Sequence, residues 1–81
     1  MSVVVVPMMI PAHLVSDGPG PCEVVLKVNT TEGDEEIIVD RSFFSQGHVD
    51  LPIVGQDWPN ALVELPQESV RGKWRLRIPL R

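Results

Sequence analysis

A chain of 81 residues with a single cysteine has room for one domain with one core and none for an internal disulfide. Its net charge of −4 disfavours long-range attraction to nucleic acid or an anionic membrane. No apolar run approaches the ~20 residues of a membrane-spanning helix.

The charge total hides an asymmetry. Residues 1–70 hold only Lys27 and Arg41 against all eleven acids, whereas Arg71, Lys73, Arg75, Arg77 and Arg81 crowd the last eleven positions. A domain of this size buries only ~60–65% of the surface its unfolded chain exposes, so added stability is expected from elsewhere. One thiol and two histidines leave neither disulfides nor a metal, and self-association is the remaining source. The lone Cys22 also points to a reducing compartment, which predicts a cytoplasmic protein.

In chain order, Ser2–Val6 is a continuous β-branched run, suited to a strand buried on both faces or to a subunit contact. The opening fifteen residues, MSVVVVPMMIPAHLV, lack the basic start and cleavage pattern of a secretion signal and are broken by Pro7 and Pro11, so they read as structure. Pro7 and Pro11 each remove a donor, which predicts an interrupted strand over Met8–Val15, pairing only at an edge or around a bulge. Ser16–Pro21 (SDGPGP) is a loop. Cys22–Asn29 alternates with Cys22, Val24, Leu26 and Val28 on one face. Glu35–Arg41 does the same with Ile37 and Val39, and the five polar residues between, centred on Gly33, predict a hairpin.

Ser42–Gly47 reads as one helical turn capped by Ser42, or as a loop, with Phe43 and Phe44 as core candidates. His48–Val54 and Ala61–Leu65 are short strands either side of the turn GQDWPN, which carries Trp58. The last stretch, Val70–Arg81, alternates over twelve residues. Val70, Trp74, Leu76, Ile78 and Leu80 are predicted to face the core, and Arg71, Lys73, Arg75 and Arg77 to face water. The whole predicts an all-β domain spanning residues 1–81, a small antiparallel β-sandwich or open barrel of six or seven short strands.

Three groups of residues are candidates for chemistry. Arg71, Lys73, Arg75 and Arg77, spaced ~6.5–7 Å along a strand, either contact an anionic partner or pair across the sheet with Glu36 and Asp40 or Glu23. The acidic total and the absence of aromatics on the same face favour pairing. The acidic run Glu32, Asp34, Glu35 and Glu36 lacks the ligand alternation of a calcium loop and reads as a solvated hairpin tip. His13, Cys22, His48 and Asp50 are the only residues from which a catalytic or metal site could be built, and no spacing brings them together. Cys22, on an apolar face, is expected to be buried.

No cofactor and no catalytic activity are expected. The function expected is protein–protein contact, most of all self-assembly into a homo-oligomer through the N-terminal arm (Val3, Val5, Met8, Met9, Ile10) and Trp58, with the cationic row orienting the contact. The alternative is an anion or nucleic-acid binding module using the basic strand face.

Overall fold

The computed structural model describes residues 7–80. Among these residues, seven strands form a single sheet: β1 (Pro7–Asp17), β2 (Glu23–Thr30), β3 (Gly33–Asp40), β4 (Phe44–Ser45), β5 (His48–Asp57), β6 (Asn60–Glu64) and β7 (Arg75–Pro79). Every pairing is antiparallel, in the order β3-β2-β1-β5-β6-β7, with β4 hairpinned onto β5. The sheet curls into a half-barrel, so the predicted open barrel is the architecture and the two-sheet sandwich is not.

Two bulges produce the curl. The register slips between Leu14 and Ser16 in β1 and between Ile53 and Gly55 in β5. An extra residue bends its strand and raises the local twist. Each bulge also breaks the inside–outside alternation, which is why Val15 and Val54 are exposed although β-branched.

β1 is not interrupted at its prolines. It is one eleven-residue strand that changes partner midway, pairing with β5 over Pro7–Pro11 and with β2 from Ala12 onward. The Ala12 N–H donates to the Gly47 carbonyl. Counting from there, Ile10/Val49 and Met8/Leu51 are the hydrogen-bonded pairs, and Pro7, Pro11 and Pro52 fall at positions that donate nothing to this ladder. Pro7 and Pro52 stand directly opposite each other. A proline at such a position costs no hydrogen bond in the β1–β5 ladder, whereas on the other side of each strand the β1–β2 ladder begins only after Pro11 and the β5–β6 ladder only after Pro52.

The predicted hairpin is β2–β3. It turns through Thr31 and Glu32, tightened by the Thr30 hydroxyl donating to the Gly33 carbonyl and by Gly33 at φ 103°. β4–β5 turns on Gln46 and Gly47, both at positive φ, the geometry that matches strand twist. Before β4 comes a 3-10 turn, Arg41–Phe43, capped by Asp40 rather than Ser42. The Asp40 carboxylate accepts the Ser42 N–H, which holds its pKa below the usual value.

The core is aliphatic throughout: Ile10, Val24, Leu26, Val28, Ile37, Val39, Val49, Leu51, Val63, Leu65, Leu76 and Ile78 make one cluster with Ala12. Several expectations fail here. The terminal strand is five residues rather than twelve, because residues 70–74 form a turn around Gly72 (φ 85°). Trp74 therefore leaves the pleat and is 53% exposed, as is Val70 in large part, while Leu80 is only half-buried. Phe44 packs against the core but Phe43 is exposed. Cys22 precedes β2 by one residue and is exposed, not buried. Ile10, expected at a contact surface, is a core residue at 1% exposure. Among the described residues no helix is long and apolar enough to cross a membrane.

Candidate interaction surfaces

The open side of the half-barrel is crossed by residues 65–74, the connection from β6 to β7. Main-chain bonds stitch it in place: Leu65 N–H to the Trp74 carbonyl, Ser69 N–H to Lys73, and Val70 N–H to Glu36 on the edge of β3. The Thr31 N–H, at the β2–β3 turn, reaches the Arg77 carbonyl on β7. The two ends of the sheet thus meet at a seam.

The seam decides what becomes of the charged residues. Glu35 lies on the inward face of β3 and is 3% exposed, so its carboxylate needs partners. Ser69 Oγ donates to Glu35 Oε2 at 3.1 Å, and Lys73 Nζ stands 3.8 Å from Oε1. Lys73 also binds Glu32 at 2.6 Å. Lys73 is therefore paired across the fold, as the favoured reading expects, but with other acids than those named from alternation. Glu36 instead faces Lys27 in register. Asp40 caps the 3-10 turn. Glu23 accepts the Gly20 N–H and the Gln67 side-chain amide.

The acidic run accordingly diverges: Glu35 points in, Glu32 meets Lys73, and Asp34 is exposed. It gathers no cation site. Of the cationic row, Arg71 sits in the turn before β7, and only Arg75 and Arg77 share the outer face of that strand. Among the described residues, neither makes an ion pair within 4.0 Å.

Glu32 lies in this field. Its carboxyl is held below the ordinary 4.5 by the Lys73 hydrogen bond first, then by the charges of Lys73, Arg77 and Arg71. A carboxylate depressed in the folded state contributes stability that is complete above its unfolded value and is lost as pH falls through the lowered folded value. The contribution of this contact is therefore expected to be full above pH 4.5 and to fade below it. Carboxyl-resolved NMR titration checks this: Lys73→Met should raise the Glu32 midpoint, and an unchanged midpoint would refute the assignment.

A second surface is apolar. β4 pairing ends at Phe44↔Val49 and β6 pairing begins at Ile53↔Val63, so β5 has no sheet neighbour on that side between them. There a cleft of about 580 Å³ opens, walled by Pro7, Phe43, Leu51, Pro52, Leu65 and Pro66, with Asp50 and Glu64 completing its lining. No sequence pattern announces it, since it depends on where β5 exchanges partners. Three prolines are its only trace.

Of the residues expected at a contact, Met9 and Trp58 are exposed, Trp58 at 76% on the β5–β6 turn. Met8 packs partly against the core. Val3 and Val5 lie outside the described residues. His13 is exposed on β1 and Cys22 is exposed in the turn before β2, and His48 Nδ1 lies 3.0 Å from the Gln46 carbonyl. Among the described residues, no three His, Cys, Asp or Glu side chains gather as a metal site would require. Comparison of the chain with protein-family models, curated proteins and solved structures found no match.

Proposed function

We propose that this chain is a non-catalytic β domain of the cytoplasm that works through protein–protein contact and assembles with a second copy of itself. The observation that carries this reading is the cleft, whose walls are prolines, Leu and an exposed Phe43. Apolar concavities of this kind, left open on a domain with a small core, are typical docking surfaces. The chain also carries a complement to it. Trp74 is exposed between Lys73 and Arg75, an aromatic anchor flanked by cations, where the cleft is apolar with two carboxylates. Aromatic and arginine anchors in pockets supply most of the energy of protein interfaces. Arg75 and Glu64 are partners in register and the Leu65 N–H bonds the Trp74 carbonyl, so the anchor sits beside residues that line the cleft. Each copy offering both is what a two-fold, self-complementary contact requires. Met9 and Trp58 are free to extend the contact. The support for a cytoplasmic setting is the single thiol.

Light scattering at low and high salt tests this. The wild type is expected to be a dimer that salt weakens but does not dissolve, because apolar burial rather than charge holds it. Trp74→Asp, which sets an acid against the acidic cleft, should be monomeric with unchanged circular dichroism. A wild-type monomer at both salt concentrations would refute the assembly.

A further inference from the structure

Beside the seam is a polar recess of about 240 Å³ lined by Thr30, Thr31, Glu32, Leu62, Lys73, Arg75, Leu76 and Arg77. Its lining holds three cations against one acid. Arg75 and Arg77 are two apart on the outer face of β7, ~6.5–7 Å along the strand, and the exposed Thr31 lies at the adjoining turn, its N–H spent on the Arg77 carbonyl. Across the ladder, Arg77 faces the apolar Leu62, so the sheet supplies it no acid. Lys73 is engaged by Glu32 at 2.6 Å and by Glu35 at 3.8 Å, whereas Arg75, although opposite Glu64 in register, and Arg77 make no ion pair within 4.0 Å among the described residues.

We infer that this recess is a binding site for a phosphate dianion, free or as a phosphomonoester on a small molecule or side chain, held by the guanidinium groups of Arg75 and Arg77 and the ammonium group of Lys73. Guanidinium forks match the paired oxygens of such a group, and the surplus of two positive charges in the lining matches its charge of about −1.5 to −2. Glu32 is the built-in competitor: its carboxylate already occupies the Lys73 side at 2.6 Å, and its pKa is lowered by the Lys73 hydrogen bond first and then by the charges of Lys73, Arg77 and Arg71. A phosphodiester chain fits less well. The row that could have tracked it is broken at Lys73, the lining holds no aromatic side chain, and the domain is acidic overall.

The test is amide NMR of the full chain titrated with inorganic phosphate, with a phosphoserine tripeptide and with a single-stranded oligonucleotide. Phosphate is expected to move the Thr31, Arg75 and Arg77 amides saturably, and increasing salt should weaken it. Tighter binding of the tripeptide assigns the site to a phosphorylated side chain, and equal binding assigns it to the free ion. Arg77→Gln should weaken binding by about tenfold or more with other shifts unchanged, and Glu32→Gln should strengthen it. Absence of saturable shifts, no effect of Arg77→Gln, weaker binding by Glu32→Gln, or tighter binding of the oligonucleotide than of either phosphate probe each overturns the inference. Repeating the titration on Trp74→Ala, which removes the anchor without adding charge between Lys73 and Arg75, separates this site from the assembly: binding there should persist, and its loss would count against a site independent of the dimer contact.

Discussion

Leu26→Ala is expected to destabilise the domain severely, and Trp74→Ala hardly at all. Leu26 is fully buried at the middle of β2, between Leu14 and Ile37 in the two flanking registers. Truncating a buried leucine costs about 2.7–5 kcal/mol, the transfer energy plus that of the cavity left behind. An 81-residue domain has about 4–12 kcal/mol of stability in all, so this one change removes a large share. Trp74 is the larger side chain but stands half in water on a turn, and its loss should stay within about 1 kcal/mol. Urea denaturation at protein concentrations low enough to dissociate the proposed dimer measures both. If Trp74→Ala were the costlier variant, the tryptophan would be a core residue and the turn at residues 70–74 would be wrong.

The second large effect is expected at Ser69, a residue with no chemical prominence in the sequence. Its hydroxyl donates to the buried Glu35 carboxylate and accepts the Lys73 N–H, while its own N–H holds the Lys73 carbonyl. Ser69→Ala removes both side-chain bonds and leaves a buried carboxylate short of a donor. A hydrogen bond to a charged group contributes about 1.5–3 kcal/mol, and that is the expected loss. The seam should loosen with it, so that the Val70 amide, bonded to the Glu36 carbonyl, exchanges faster than amides in β2. A double-mutant cycle with Glu35→Gln should show coupling of about 1 kcal/mol or more. Additivity would mean that the two side chains do not act together.

How far the sequence reaches is clearest at particular elements. The β2–β3 hairpin was legible because both strands alternate strictly and Gly33 marks the turn, so local chemistry and tertiary structure agree. The Val70–Arg81 stretch alternates just as strictly, yet only Arg75–Pro79 is strand. Alternation states what a strand would bury if it formed; it does not state that a partner strand is long enough. β6 ends at Glu64, and beyond the Glu64↔Arg75 pair only the Leu65 N–H to Trp74 carbonyl bond continues the ladder before the chain turns at Gly72. The prolines misled in the opposite direction. Their cost depends on whether the missing N–H would have faced a partner, which only register settles, and at Pro7, Pro11 and Pro52 it would not.

The candidate sites follow the same division. The basic end and the acidic hairpin tip were visible as composition, but the identity of their partners was not. Lys73 meets Glu32 and Glu35 because the crossing segment lays the turn before β7 over the β2–β3 hairpin, a contact between residues about forty apart in sequence. The cleft had no sequence signal beyond its prolines.

By itself, then, the sequence determined the all-β class, the turn positions at SDGPGP and Gly33, the inward faces of β2 and β3, and the segregation of charge, since each of these follows from residue type and spacing of two to five positions. Only the tertiary structure decided the length of the last strand, the exposure of Trp74 and Phe43, the burial of Glu35, and the cleft and recess. These depend on bulges that shift the phase of a strand, on the exchange of strand partners, and on a seam closed by residues far apart along the chain.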